Sequence, residues 1–293
     1  MVTVHIDPHA GFCPGVRKAI TIAEELLDAE GEVYCLGELV HCPEEMERLE
    51  SKGFKIISKE EIDQIQDSKI VIRAHGISPS VQHRLNKTDN EIIDATCNTV
   101  YRLQQKVKIS STQMQMSDGQ VVIFGKKNHP EVEGLIGYCQ SKYLIVSDPE
   151  NLEGIDLNKP ISIFAQTTSN IAEFESFIQN IYSAVRNAGL ESNQIQVYNT
   201  ICTPMKSRVP QLRSFASKFD VIVFVSGERS ANGAYLSSIC KAENIRTFRV
   251  SAPGQLNFQW FENVDSIGVT GGNSSPYWLL EVIADEIKNR FGA

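Results

Sequence analysis

"VIVFVSGERSANG", residues 221–233, runs an unbroken apolar stretch into a polar cluster that carries glycine, serine and asparagine. Five consecutive apolar residues without alternation read as a strand buried on both faces, the condition of a parallel sheet covered by helices. The same order recurs in "VIRAHGIS" (71–78), "VVIFGKKNHPEVEG" (121–134), "ISIFAQTTSN" (161–170) and "SIGVTGGNSSP" (266–276). Between these runs lie helical patterns. Val16, Ala19, Ile20, Ala23, Leu26 and Leu27 share one face at the helical period, as do Leu212, Phe215, Ala216 and Phe219, and "YWLLEVIADEIKNRF" (277–291) closes the chain as a third helix. The fold class is therefore α/β with parallel sheets, and the polar clusters fall at the carboxyl ends of the strands, where ligands gather in such folds. The polar segment "SSTQMQMSDGQ" (110–120) reads as an exposed loop or a frayed helix end.

At 293 residues the chain can bury a large core in two or three domains. Its net charge of −8 gives no basic field for nucleic acid, so an anionic ligand needs a local site. No apolar run reaches the ~18 residues of a membrane span. The opening "MVTVHIDPHAG" lacks the basic end and apolar stretch of an export signal, which predicts a cytoplasmic protein. Seven cysteines, an odd number without an export signal, predict thiols that are buried, metal-bound or catalytic rather than a disulfide framework.

Three of those cysteines have matching settings: "AGFCPG", "IIDATCNTV" and "YNTICTPM" contain Cys13, Cys97 and Cys202, about one per third of the chain. Each follows a small or apolar stretch and precedes a predicted helix, whose dipole favours a thiolate; Pro14 suits the first helical position. Three such thiolates could hold a structural zinc with a histidine, or an iron–sulfur cluster with one iron lacking a protein ligand; as three separate buried cysteines they would hold nothing. Three similar α/β units, each delivering one cysteine, are expected at residues 1–97, 98–195 and 196–293. Cys35 reads as strand core, Cys139 and Cys240 as helical core, and Cys42 as a loop thiol open to solvent.

His41, His75 and His129 stand at element ends and could serve as ligands, acids or donors to an anion. Glu131 falls where a proline-initiated helix begins; it is a good N-terminal residue, and a proton donor if it faces a site. Gln166, Thr167 and Thr168 close one strand and Ser226, Ser230 and Asn232 another, while Ser274 and Ser275 precede Pro276 as a helix start. Such groups, with backbone N–H at helix N-termini, can bind phosphate without many lysines.

Together, "GFCPGV", "LGELVH", "RAHG", "IIDATC", "HPEVEG", "QTTSN", "NTIC" and "GVTGGNSSP" resemble, in order and spacing, the 4-hydroxy-3-methylbut-2-enyl diphosphate reductase family of the methylerythritol phosphate route to isoprenoids, over nearly the whole chain. The resemblance implies three α/β domains in pseudo-threefold symmetry around one 4Fe–4S cluster per chain, ligated by Cys13, Cys97 and Cys202, with one iron free for the substrate hydroxyl. It implies that His41, His75, Ser230, Asn232 and Ser274 hold the diphosphate, that His129 and Thr167 line the pocket, and that Glu131 supplies protons with Thr167 as relay. It also implies a ferredoxin or flavodoxin as electron donor, and no nucleic acid or membrane partner. Some positions depart from the family pattern: Cys42-Pro43-Glu44-Glu45 where asparagine and an apolar pair are usual after the histidine, Asn98 for proline, Ala231 for serine and Asn273 for alanine. The hydroxyl missing at Ala231 predicts a diphosphate grip weaker by about 0.5–1.5 kcal/mol for a neutral hydrogen bond. Two rival expectations are a cluster-bearing diphosphate sensor without turnover and a zinc hydrolase built from the histidines and a thiolate.

Overall fold

The computed structural model describes residues 2–291. The chain opens with β1 (Thr3–Ile6) and α1 (Pro14–Glu30), then β2 (Val33–Leu36), α2 (Pro43–Glu50) and β3 (Phe54–Ile57). Next come β4 (Lys69–Ile72), α3 (Pro79–Leu85), β5 (Glu91–Asp94), α4 (Asn98–Met116) and β6 (Gln120–Phe124). The middle continues with α5 (Pro130–Ile136), β7 (Lys142–Val146), β8 (Ile161–Ala165), α6 (Ile171–Asn187) and β9 (Ile195–Tyr198). The last part holds α7 (Thr203–Ala216), β10 (Val221–Val225), α8 (Ala231–Glu243), β11 (Thr247–Val250), β12 (Ser266–Gly271) and α9 (Tyr277–Phe291).

These strands make three four-stranded sheets, ordered β3-β2-β4-β5, β7-β6-β8-β9 and β11-β10-β12-β1. The recorded pairs run parallel, as the apolar runs require, and β6, β8 and β10 are buried at every residue. The first strand belongs to the last sheet. β1 pairs with β12 from Thr3 opposite Ser266 to Ile6 opposite Val269.

By compactness the chain divides into two units, residues up to Ile56 with those from Thr203 onward, and residues 57–202. In the second unit α4 lays Leu103, Val107 and Met114 on β6 and β8, with Val132 and Leu135 of α5 closing the layer. Of the two expectations for 110–120, an exposed loop or a frayed helix end, the loop is corrected, because the helix continues to Met116. Ser110, Ser111 and Met114 face inward, and the Ser111 hydroxyl accepts from the N–H groups of Gln140 and Ser141 at 2.6 and 2.9 Å. Polar composition had a structural use there: one buried serine satisfies a turn.

In the first unit a buried ion pair ties three elements together. Arg208 on α7, 2% exposed, places Nη2 at 2.7 Å from Asp7 Oδ2, just past β1. The same nitrogen donates to Thr270 Oγ1 at 2.7 Å and to the Gly271 carbonyl at 3.3 Å on β12. Removing one partner of such a pair strands the other charge in the interior. Arg208→Met is expected to cost about 3–5 kcal/mol, read as a lowered urea midpoint with unchanged slope.

Candidate functional site

The sheets repeat one plan at their carboxyl ends, and the sequence-predicted residues fall on it. The edge strands β5, β9 and β1 lead to Cys97, Cys202 and Cys13. The neighbouring inner strands β4, β8 and β12 lead to His75, Thr167 and Ser274. The other inner strands β2, β6 and β10 lead to His41, His129 and Ser230, and a helix follows each within two residues. Nine positions thus form three equivalent sets.

Each cysteine is held by the strand beside it. The N–H of Cys97 donates to the Ala74 carbonyl at 3.0 Å, that of Cys202 to Thr167 at 2.9 Å, and that of Cys13 to Asn273 at 2.9 Å. Each accepting carbonyl belongs to, or directly precedes, a candidate substrate residue. Cys13 and Cys97 are N-caps in extended conformation, and neither thiol is spent on capping its helix. Gly11, at φ +110°, makes the turn into Cys13 in a region closed to residues with a side chain. The glycine before the cysteine therefore serves the turn.

The other thiols contrast with these three. Cys42 is 2% exposed and caps α2, because Pro43 starts the helix; the solvent-open loop expected there is corrected. Burial pushes its thiol up to about 12, with Glu44 Oε2 3.6 Å from Sγ. Cys139 follows α5 rather than lying in a helix, since the turn begins at Gly137, and burial pushes it and Cys240 up to about 12 as well. Cys13, Cys97 and Cys202 are partly buried, as is Cys139, but of these four only Cys13, Cys97 and Cys202 stand directly before a helix. The altered segment after His41 also has a structural account: Glu45 is buried and accepts from Arg48 Nη2 at 2.6 Å and Trp278 Nε1 at 2.7 Å.

Within the second unit Glu131 and Thr167 meet directly. Glu131 is 1% exposed; its Oε1 accepts from the Thr167 N–H at 2.7 Å and its Oε2 from the Thr167 hydroxyl at 2.6 Å. Burial raises its pKa from the ordinary 4.5, and the two Thr167 bonds oppose that rise in part. His129, the N-cap of α5, accepts the Glu131 N–H at Nδ1 over 3.1 Å, so a neutral ring carries its proton on Nε2. The His75 ring stands edge-on to it, centroids 5.4 Å apart.

Within the first unit His41 Nδ1 lies 3.1 Å from Glu38 Oε2, and the Glu38 carboxylate also pairs with Arg229. A side chain on Gly227 would place Cβ 2.0 Å from the His41 carbonyl, so the chain after β10 passes there only as glycine. Ser230 caps α8, accepting from the Gly233 N–H at 3.0 Å, with its hydroxyl 3.3 Å from that of Ser274. Asn232 is 8% exposed: its Oδ1 accepts from the Asn273 N–H at 3.0 Å and its Nδ2 points at the Met205 sulfur, 2.6 Å away. Its amide braces the loop that holds Cys13. Sequence reasoning missed that brace, the Ala74 carbonyl and the Asp7–Arg208 pair, because main-chain acceptors carry no residue signature and the pair joins residues far apart along the chain.

The sequence profile described as "LytB protein" matches residues 4–288. The 4-hydroxy-3-methylbut-2-enyl diphosphate reductase of Bacteroides thetaiotaomicron is 38% identical over 289 residues, 98% of each chain. That of Chlorobaculum tepidum is 34% identical, covering 97% of this chain and 95% of its own. A solved structure of (E)-4-hydroxy-3-methyl-but-2-enyl diphosphate reductase, described as the terminal enzyme of the non-mevalonate pathway, is 34% identical, with a TM-score of 0.71 over 99% of this chain and 100% of that one. The fold is matched also by the E-1-hydroxy-2-methyl-but-2-enyl-4-diphosphate reductase of Plasmodium falciparum, with a TM-score of 0.86 at 24% identity over 99% and 89% of the two chains.

Proposed function

From the premise that the chain belongs to the LytB protein family, we propose that it reductively removes the hydroxyl of 4-hydroxy-3-methylbut-2-enyl diphosphate, giving isopentenyl and dimethylallyl diphosphate. The observation that carries this reading is the buried Glu131–Thr167 pair one hydrogen bond from Cys202. It sets a proton source beside a candidate metal ligand. The net change is two electrons and two protons added, the C–O bond broken, a C–H bond formed and the hydroxyl released as water.

The thiols fit a 4Fe–4S cluster held by Cys13, Cys97 and Cys202. Each is partly buried at the start of a helix, a combination that Cys42 (helix start, buried), Cys139 (partly buried, past a helix end) and the buried Cys35 and Cys240 do not have. When bound, the cluster supplies electrons and, at an iron without a protein ligand, a Lewis acid for the allylic oxygen. Ser230, Ser274, Asn232, His41 and His75 bind the diphosphate, with the α8 N-terminus adding its dipole and Asn232 turning Nδ2 from Met205 to the anion. Binding the unreactive end positions the allylic carbon. His129 and Thr167 line the pocket. Glu131 holds a proton above the usual carboxylate range and passes it through the Thr167 hydroxyl, which donates to the carboxylate and accepts from the acid.

We keep as part of this reading the division near residues 97 and 195 with pseudo-threefold symmetry, a ferredoxin or flavodoxin as donor and a cytoplasmic setting. No helix among the described residues is long and apolar enough to cross a membrane. The deciding experiment is purification without oxygen, analysis for iron, sulfide and zinc, and turnover of the substrate with a chemical reductant. Iron and sulfide with product formation are expected. Zinc in place of iron would overturn the cluster, and an intact cluster without turnover would leave only a diphosphate sensor.

A further inference from the structure

On a chain of net charge −8, α4 carries three cations and no carboxylate over its whole length. Arg102, Lys106 and Lys108 are all exposed, and none forms an ion pair among the described residues; Lys106 Nζ lies 5.7 Å from the centre of the Tyr198 ring. Arg102, Lys106, Ile109, Gln113 and Met116 follow the helical spacing of a single stripe, and Tyr101 and Lys108 flank it. Tyr101 is 54% exposed, Ile109 61% and Met116 86%. Basic residues interleaved with exposed apolar ones are the composition of a transient docking face.

The position of this face gives it a use. α4 starts at Cys97, its N-cap, and the three cations lie within about 17 Å of that cysteine along the helix axis. The helices that follow the other two candidate ligands are built differently. α1 follows Arg17 and Lys18 with Glu24, Glu25, Asp28 and Glu30; α7 also lacks carboxylates and exposes Lys206 and Arg213, but it buries Arg208 against Asp7 and exposes no large apolar side chain.

We propose that the exposed face of α4 docks an acidic one-electron carrier protein beside Cys97. This rests on the reductase reading above, which needs two electrons from outside the chain. Each docked carrier gives up one electron and leaves oxidised, so two dockings, with two protons, serve the breaking of one C–O bond and the release of one water. Complementary charge draws an acidic carrier in and orients it. Tyr101 and Ile109 give the contact an apolar centre.

The test uses the cluster-loaded protein, reduced [2Fe–2S] ferredoxin as the docking probe and reduced methyl viologen as a small donor that needs no docking face. In the triple variant Arg102→Glu, Lys106→Glu, Lys108→Glu, the calorimetric Kd for ferredoxin is expected to rise about tenfold or more at low salt, as is the KM for ferredoxin. The gap should narrow at about 0.15 M salt, and viologen-driven turnover should match wild type. The single reversals Arg102→Glu and Lys108→Glu carry the same prediction at smaller size, should the triple variant lose helical signal. Unchanged ferredoxin affinity overturns the docking face. So does a wild-type protein that captures phosphatidylglycerol vesicles and not ferredoxin. Absence of viologen-driven turnover in wild type overturns the reductase reading instead, and the calorimetry then judges the docking face alone.

Discussion

Replacing Cys97 by serine should strip the protein of iron and abolish turnover while leaving its helix content unchanged. A serine hydroxyl ionises far less readily than a thiol and is a poor ligand for the soft iron of a cluster. The fold has little stake in the sulfur: Cys97 is partly buried, its thiol does not cap α4, and its N–H stays bonded to Ala74 whatever the side chain. Iron per chain, from about four in a loaded protein, is expected to fall at least about tenfold. Cys240→Ser supplies the contrast, since that thiol is fully buried and held neutral on α8. It should cost stability and leave iron content intact. Full iron in Cys97→Ser would remove this cysteine from the ligand set.

The second large effect is expected at Glu131→Gln. Glutamine keeps an oxygen for the Thr167 N–H and offers its NH2 to the Thr167 hydroxyl, so the 2.7 and 2.6 Å contacts survive with the second reversed in direction. What disappears is the acidic proton. General acid–base groups contribute about 10²–10⁴ in rate, and kcat should fall within that range while substrate affinity and iron content hold. In the wild type the sign of the pH dependence follows from the raised pKa. Burial favours the neutral acid, so the donor is competent below its folded pKa and kcat declines as pH rises through it. The same ionisation weakens the fold: this group's contribution to stability is full below its ordinary 4.5 and is lost as pH rises through the raised value. A kcat that climbs with pH over that interval would contradict the assignment.

How much of this was legible beforehand depends on what carried each feature. Continuous apolar runs ending in polar clusters read correctly as parallel strands, because burial on both faces leaves a mark in composition. The placement of Cys13, Cys97 and Cys202 was legible from their flanks, each standing where a strand gives way to a helix. The union of β1 with β12 was not, since no local pattern tells a first strand to join a last sheet. The helical course of Ser110 to Met116 was only half legible, as a loop or a frayed helix end, because buried serines look like loop composition until their partners are known. Cys42 was misread as open to solvent, for lack of weight given to the proline that draws it into a helix cap.

The braces at Ala74, Thr167 and Asn273 constrain how this protein can change. Each makes one peptide link, or none, the distance between a residue that would grip an anion and the backbone that fixes a thiol. A substitution that displaces the backbone at His75, Thr167 or Ser274 therefore also moves the carbonyl that anchors a cysteine, whereas one that changes the side chain alone leaves that anchor in place.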